Sequence, residues 1–350
     1  MTCIASNLKP PCLAFVAIGR NEGERLKRCL LSIRDLTDTV IYIDSGSTDG
    51  SREFAASLGV EVLDLDTTSG FTMSRARNAG WRRALEIFPE TEFVHFIDGD
   101  CELAEGWLAE AVDFLNKHPD ISAVCGRRRE RFPHQSFYNR LIDIEWNTPV
   151  GEAESSGGDA LMRLDALEEV RGFNEALIAG EEPELCKRMR DKGWKIWRLD
   201  RDMTWHDANM HTFSQWWKRH VRGGYGARDV ALRSLETATS GSAVLFGHQV
   251  RSSLLWTLGT SLVLIAGVAA SLISGCFYLF PTILAVLICI WLCQSVRIGV
   301  ALRKRAGGII LGTLYGCSLM LAKWPQLLGS LKHHADLRTG RTAKLIEYKQ

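Results

Sequence analysis

Asp98-Gly-Asp100 directly follows the apolar run Phe93-Val-His-Phe-Ile97. Two carboxylates one residue apart at a strand end can share a Mg2+ or Mn2+, directly or through ribose and water, because hard oxygen ligands suit these cations. A cation held there offsets charge building on a departing diphosphate. Alone, such a triplet is as often a solvated turn. Two further polar clusters follow apolar runs in the same way: Asn21-Glu22 after Leu13–Ile18, and Asp44-Ser-Gly-Ser-Thr-Asp49 after Val40–Ile43. Asp, Ser and Gly are turn residues, but three clusters on one edge point to the rim where open α/β sheets bind ligands. No GxGxxG follows a strand and no GxxxxGK[ST] occurs, so dinucleotide and P-loop binding lack their glycine-rich turns. The parts present suit a sugar nucleotide: an acid for base or ribose hydroxyls and a dication for the diphosphate.

Positioning these groups requires alternating strands and helices. Helical spacing of Leu26, Cys29, Leu30 and Ile33 predicts a helix over Glu22–Ile33. Further helices are expected at Asp49–Leu58 (capped near Ser47 or Thr48), Ser74–Ile87 and Gly106–Asn116, with strands at Val60–Leu65, Phe93–Ile97, Ile121–Cys125 and Trp194–Leu199. The alternation predicts an α/β fold with a mostly parallel sheet and helices on both faces.

The C-terminal part reads differently. Ser252–Val296 is 45 residues without a charge, bounded by Arg251 and Arg297. About 20 residues at ~1.5 Å rise cross ~30 Å of hydrocarbon, so the run predicts two spans, Leu254–Ile273 and Phe277–Val296, reversing near Gly275 and Pro281. Arg251 before the hairpin and Arg297, Arg303, Lys304 and Arg305 after it make both ends cytoplasmic. A third apolar stretch, 307–331, contains Lys323 and Pro325 and either crosses or re-enters.

Among 350 residues, 42 Lys and Arg nearly balance 41 Asp and Glu, but the halves differ: residues 1–250 carry 31 basic and 39 acidic groups, net −8, and 251–350 carry 11 and 2, net +9. A uniformly basic nucleic-acid binder is excluded, and an acidic region joined to a basic apolar one suggests a membrane partner. Ten scattered cysteines without a CxxC read as reduced thiols. The first residues lack a basic segment followed by an apolar run, so no signal peptide is expected.

The segments Ile18-Gly-Arg-Asn-Glu22, Ile43-Asp-Ser-Gly-Ser-Thr-Asp49, Arg77-Asn-Ala-Gly80, Asp98-Gly-Asp100, Gly172-Phe-Asn174 and Glu181-Glu-Pro-Glu-Leu-Cys-Lys-Arg188 cover about 15–225. In this order they resemble a family-2 glycosyltransferase of the GT-A (Rossmann-like) fold. The resemblance implies that Glu22 and Asp44 hold the nucleoside, Arg77 reaches the donor's phosphates or ribose, Asp98 meets ribose or sugar, and Asp100 ligates the metal. His206, in Trp205-His-Asp207, resembles the histidine completing the metal site in some members. Glu182 matches the second, general-base member of the family's acidic pair, one methylene longer than the usual Asp; Glu181 is an acceptor-side candidate. Gln215-Trp-Trp-Lys-Arg219 stands where processive members carry QxxRW but lacks that spacing.

These residues imply a GT-A domain over 1–235 with an interfacial helix at 211–229, a membrane region over 250–331 and a basic tail over 332–350. Trp217, Arg219 and Arg222 are candidates for bringing an acceptor to the donor, and Arg127, Arg128, Arg129 and Arg131 for cradling an acceptor phosphate. The implied activity is inverting, Mg2+- or Mn2+-dependent hexosyl transfer from a UDP- or GDP-sugar to a lipid-linked acceptor at the cell (inner) membrane, multi-pass, with the catalytic domain cytoplasmic. Polysaccharide, glycolipid and polyprenyl-phosphate-sugar products all fit. The competing expectation is an inactive GT-A-like module that only binds membrane partners, against which the intact acids argue.

Overall fold

The computed structural model describes residues 12–68, 70–236 and 245–341. In chain order the elements are β1 (Leu13–Gly19), α1 (Glu24–Ile33), β2 (Thr39–Asp44), α2 (Ser51–Ser57), β3 (Glu61–Asp64), α3 (Met73–Ile87), β4 (Phe93–Asp98), β5 (Cys101–Leu103), α4 (Trp107–Lys117) and β6 (Ile121–Glu130). There follow α5 (Phe137–Trp146), β7 (Gly151–Ala153), β8 (Ala160–Arg163), α6 (Leu164–Glu169), α7 (Glu181–Asp191), β9 (Lys195–His206) and α8 (Phe213–Glu236). The last group is α9 (Gly247–Leu254), a π-helical turn (Leu255–Gly259), α10 (Thr260–Ser274), α11 (Leu279–Ala301), α12 (Arg303–Ala306), α13 (Ile309–Leu321) and α14 (Lys323–Thr339).

The chain divides into two compact units. One comprises residues up to Pro133 together with Trp146–Asn209; the other comprises His134–Glu145 and the residues from Met210 on. Helix α8 therefore groups with the C-terminal helices.

The first unit is built on one sheet ordered β3-β2-β1-β4-β8-β6-β9-β5, with β7 on β9. Pairs β3–β2, β2–β1, β1–β4 and β6–β9 are parallel, whereas β8 runs antiparallel between β4 and β6. Strand β1 is covered on both faces, which explains its unbroken apolar run. Gly80 lets α3 lie flat on β1: a Cβ there would stand 2.2 Å from Val16 Cγ1. The core gathers Phe15, Tyr42, Phe93, Phe96, Trp107 and the buried faces of the helices.

Two expectations change. Helix α2 begins at Ser51 behind a left-handed Gly50, not from a cap at Ser47 or Thr48; those two residues are bonded to the loop after β1 instead. Strands β6 and β9 run on to Glu130 and His206, beyond the apolar segments, because each supplies the other's hydrogen-bond ladder as far as Glu130 opposite His206.

In the second unit, close helix packing rests on glycines. A Cβ at Gly224 of α8 would sit 2.1 Å from the Gln326 carbonyl of α14, and one at Gly299 of α11 2.6 Å from Thr313 Cα of α13. The continuous helix Gly247–Ser274 and helix α11, 28 and 23 residues long, are long and apolar enough to cross a membrane. They expose large apolar side chains such as Leu262, Ile265, Leu272 and Ile288, and reverse at a left-handed Gly275. The third apolar stretch is broken at Ala322 into α13 and α14. Of the expected tail, residues 342–350 lie outside the described residues.

Candidate active site

The carboxyl ends of β1, β2 and β4 lie side by side, with Gly19 opposite Asp44 and Ile18 opposite Asp98. At ~4.8 Å per strand this sets Asp44 and Asp98 about 10 Å apart across β1. Asp44 is buried, taking the Tyr42 hydroxyl at 2.9 Å and the amides of Gly46 and Ser47 at 2.9 and 2.8 Å. Asn21, held at φ 54°, accepts the Thr48 amide at 2.7 Å and donates its own amide to Ser47 Oγ at 2.9 Å. Glu22 lies across the backbone of β1 and of the turn after β4, since Cβ atoms on Gly19 and Gly99 would stand 3.2 and 3.4 Å from its Cγ. It pairs with Arg25 at 2.8 Å.

Beside this turn-knit edge lies a buried ion network. Arg77 is 1 % exposed and donates to Asp98 at 2.8 Å and to Glu181 at 2.9 Å. The other Asp98 oxygen takes Arg128 at 2.7 Å. Arg128 also holds Asp159 through two bonds of 2.9 and 3.0 Å. Asp159 accepts the Asp98 amide at 2.9 Å and the Thr204 hydroxyl at 2.8 Å, so it pins the backbone at the site's centre. Phe173 and Trp146 lie under the two guanidiniums at 5.5 and 5.0 Å. Arg77 is thus a clamp between two carboxylates. In the basic run, Arg129 pairs with Asp202 at 2.6 Å and Arg131 with Glu102.

Asp100 and His206 meet one step along, with Oδ2 and Nε2 3.3 Å apart. Strand β5 pairs with β9 so that Cys101 faces His206, which brings Asp100, Cys101 and His206 ligand atoms within 4.8 Å of one another. Burial lowers the His206 pKa, against the pull of Glu130 and with help from Arg128, leaving a neutral imidazole. Burial raises the Cys101 pKa, so its sulfur stays a thiol. A carboxylate and a neutral imidazole fit Mn2+ or Mg2+; a protonated thiol adds nothing for such hard ions.

Glu181 and Glu182 open α7 behind a left-handed Gly180, where the helix dipole favours acids. Both are buried and they point to different partners. Glu181 reaches Arg77. Glu182 accepts the Ser156 amide at 2.5 Å, the Ser156 hydroxyl at 2.9 Å and the Cys186 thiol at 3.0 Å. Burial pushes its carboxyl above the ordinary value, with the Cys186 and Ser156 bonds opposing. A carboxyl raised in this way suits general-base work near neutral pH.

Glu181, Arg77 and Asp98 are therefore joined in one chain of contacts, with Asp100 and His206 next to it. Trp217, Arg219 and Arg222 belong to α8 in the second unit. Asp159, Ser156 and Thr204 were missed. The signal for Ser156 and Asp159 was Ser155-Ser156-Gly157-Gly158-Asp159, a polar, glycine-paired stretch entering a strand. Gly158 is needed there, because a Cβ would stand 2.9 Å from Asp98 Oδ2.

Residues 16–169 match the family model described as glycosyl transferase family 2. The matched segment is a glycosyltransferase family 2 domain. The chain is 24% identical over 270 residues to a pre-mycofactocin glycosyltransferase of Mycobacterium tuberculosis, covering 73% of the present chain and 55% of the relative. It is 28% identical over 218 residues to the succinoglycan biosynthesis protein ExoA of Rhizobium meliloti, covering 57% and 62%. The chain thus spans little more than half the length of the mycobacterial relative. Among solved structures, the mannosyltransferase PcManGT of Pyrobaculum calidifontis, in complex with GDP-Man and Mn2+, superposes with a TM-score of 0.57 at 17% identity, covering 94% of this chain and 90% of that one. The chain has a mixed, mostly parallel sheet in a GT-A-like fold, followed by C-terminal helices.

Proposed function

We propose that the protein transfers a hexosyl group from a UDP- or GDP-sugar, with inversion, to a lipid-linked acceptor at a membrane. The observation that carries the reading is the contact chain Glu181–Arg77–Asp98 with Asp100 and His206 alongside. Asp100 and His206 would hold Mn2+ or Mg2+, which supplies charge compensation for the departing nucleoside diphosphate. Asp98, fixed by Arg77 and Arg128, offers an oriented carboxylate to sugar or ribose hydroxyls. Glu22 and Asp44 edge the nucleoside side.

In the displacement, the acceptor oxygen forms a bond to the anomeric carbon while the bond to the diphosphate oxygen breaks on the opposite face. If the acceptor is an alcohol, Glu182 takes its proton; a polyprenyl phosphate already carries an anionic oxygen and needs no base. The two long apolar helices support acceptor delivery from lipid, and their basic flanks support a cytoplasmic donor side.

The test is release of UDP or GDP by the full chain in detergent, across a panel of nucleotide sugars, with Mn2+ or EDTA and with or without candidate lipids. Metal-dependent release stimulated by a lipid acceptor is expected. Failure to turn over any nucleotide sugar with metal present would overturn the reading.

A further inference from the structure

Strands β6 and β9 run in step at their carboxyl ends, with Arg128 opposite Thr204, Arg129 opposite Trp205 and Glu130 opposite His206. Side chains alternate along a strand, so Glu130 and His206 share the face that Arg128 and Thr204 occupy, while Arg129 and Trp205 take the other. Glu130 is 2 % exposed. Its Oε1 accepts the Phe132 amide and its Oε2 the Ala208 amide, both at 3.1 Å. The carboxylate therefore closes the ends of both strands and has little freedom to turn. Oε2 also stands 3.5 Å from Nδ1 of His206, while the other ring nitrogen, Nε2, faces Asp100 at 3.3 Å. Trp146 meets the same imidazole edge-on, with ring centroids 4.3 Å apart.

A histidine binds a metal through a nitrogen that carries no proton, and the contact made by the other nitrogen decides which one is bare. Nε2 can serve beside Asp100 only when the ring's proton sits on Nδ1. That atom is buried, and no other hydrogen-bond partner reaches it among the described residues. An unmet N–H at that depth is costly. The Glu130 contact lies only a few tenths of an ångström beyond hydrogen-bond length, and a cation on Nε2 would polarise Nδ1–H and draw it in. We propose that Glu130 is a positioning residue for the metal: it accepts from Nδ1–H, fixes the tautomer of His206 and turns Nε2 toward Asp100. The inference rests on the reading of Asp100 and His206 as metal ligands, and adds to it the residue that makes the histidine competent.

The full chain in detergent, isotope-labelled at its histidine ring nitrogens, gives the metal-free tautomer of His206 by NMR, assigned from the resonances lost in His206→Ala. Mn2+ affinity is read separately from the EPR signal of free aqueous Mn2+, with UDP or GDP present. Wild type should carry the proton on Nδ1. Glu130→Gln keeps the shape but offers an amide in place of the anionic acceptor, so the two tautomers should mix and Mn2+ affinity should fall about 10–100-fold. In the His206→Ala background the same substitution should change Mn2+ affinity by less than about twofold, since no imidazole is left to hold. A proton on Nε2 in wild type refutes the proposal without any variant. So does an equal loss with and without His206, which would make Glu130 a strut for the strand ends only. If wild type takes up no Mn2+ with either nucleotide, the metal reading falls and this role goes with it. If wild type binds Mn2+ and Glu130→Gln binds it equally, the role alone is refuted.

Discussion

The two units use charge differently: the first buries an ion network at its strand ends, and the second keeps its basic residues beside long apolar helices. In the first, Arg77 and Arg128 face Asp98, Asp159 and Glu181, with Asp100 alongside, so carboxylates outnumber guanidiniums. In the second, Glu145 holds Arg219 and the Ile144 carbonyl holds Arg305 at the end of α5. The same asymmetry runs through the whole chain, net −8 over residues 1–250 and +9 beyond. Buried charge is tolerated only when compensated, so the cation proposed at Asp100 and His206 would add to a balance that the guanidiniums of the first unit already carry. Perturbing either balance tests the contrast.

The sharpest break is at the base. Glu182→Gln keeps shape and removes the proposed proton acceptor, and kcat on a hydroxyl acceptor should fall by about 10²–10⁴-fold. On a phosphate acceptor the rate should be nearly unchanged, and single-turnover rates on both acceptors check this. Next, Arg128→Met leaves Asp98 and Asp159 without their shared cation. Removing one partner of a buried ion pair costs about 3–5 kcal/mol, visible in denaturant unfolding, and Mn2+ should restore more stability to the variant than it adds to wild type. An equal Mn2+ gain in both would show that the first cluster is not short of a cation. Asp100→Ala then acts on the cation itself. Metal-dependent turnover should fall by about 10²–10³-fold, and the Mn2+-induced rise in thermal midpoint should vanish while the metal-free midpoint holds.

Much of this contrast was legible in the sequence. The apolar run before Asp98 predicts a buried strand, and β4 forms there with Asp98 at its end. The 45 uncharged residues from Ser252 announced long apolar helices by length alone. What hid were contacts between distant segments. Ser156 and Asp159 sit in a serine- and glycine-rich stretch that reads as a loop, and their partners Glu182 and Asp98 lie 26 and 61 residues away. Arg128, expected with its neighbours to cradle an acceptor phosphate, is instead held by Asp98 and Asp159, in a basic run whose strand character comes from pairing with β9 rather than from apolar residues. Period-two alternation was the available clue: Arg128 turns inward to Asp159 while Arg129 reaches Asp202. Lys323 was visible, but not that the helix breaks just before it.

The smallest effect concerns how the acid side tunes its own base. Ser156 Oγ donates to the Glu182 carboxylate, and a donor to the charged form lowers a carboxyl pKa. Burial already holds that pKa above its ordinary value. Ser156→Ala removes the donor, so the pKa rises further and the acid limb of kcat/KM on a hydroxyl acceptor moves to higher pH, by about one unit for an interaction of about 1.4 kcal/mol. Cys186→Ser replaces a weak donor with a stronger one and should move the same limb to lower pH. Well above both limbs Glu182 is ionised in every variant, and the rates should converge to within a fewfold. A uniform loss at all pH values, with no displaced limb, would mean that Ser156 only holds the loop in place and that the charge state of Glu182 is set by burial alone.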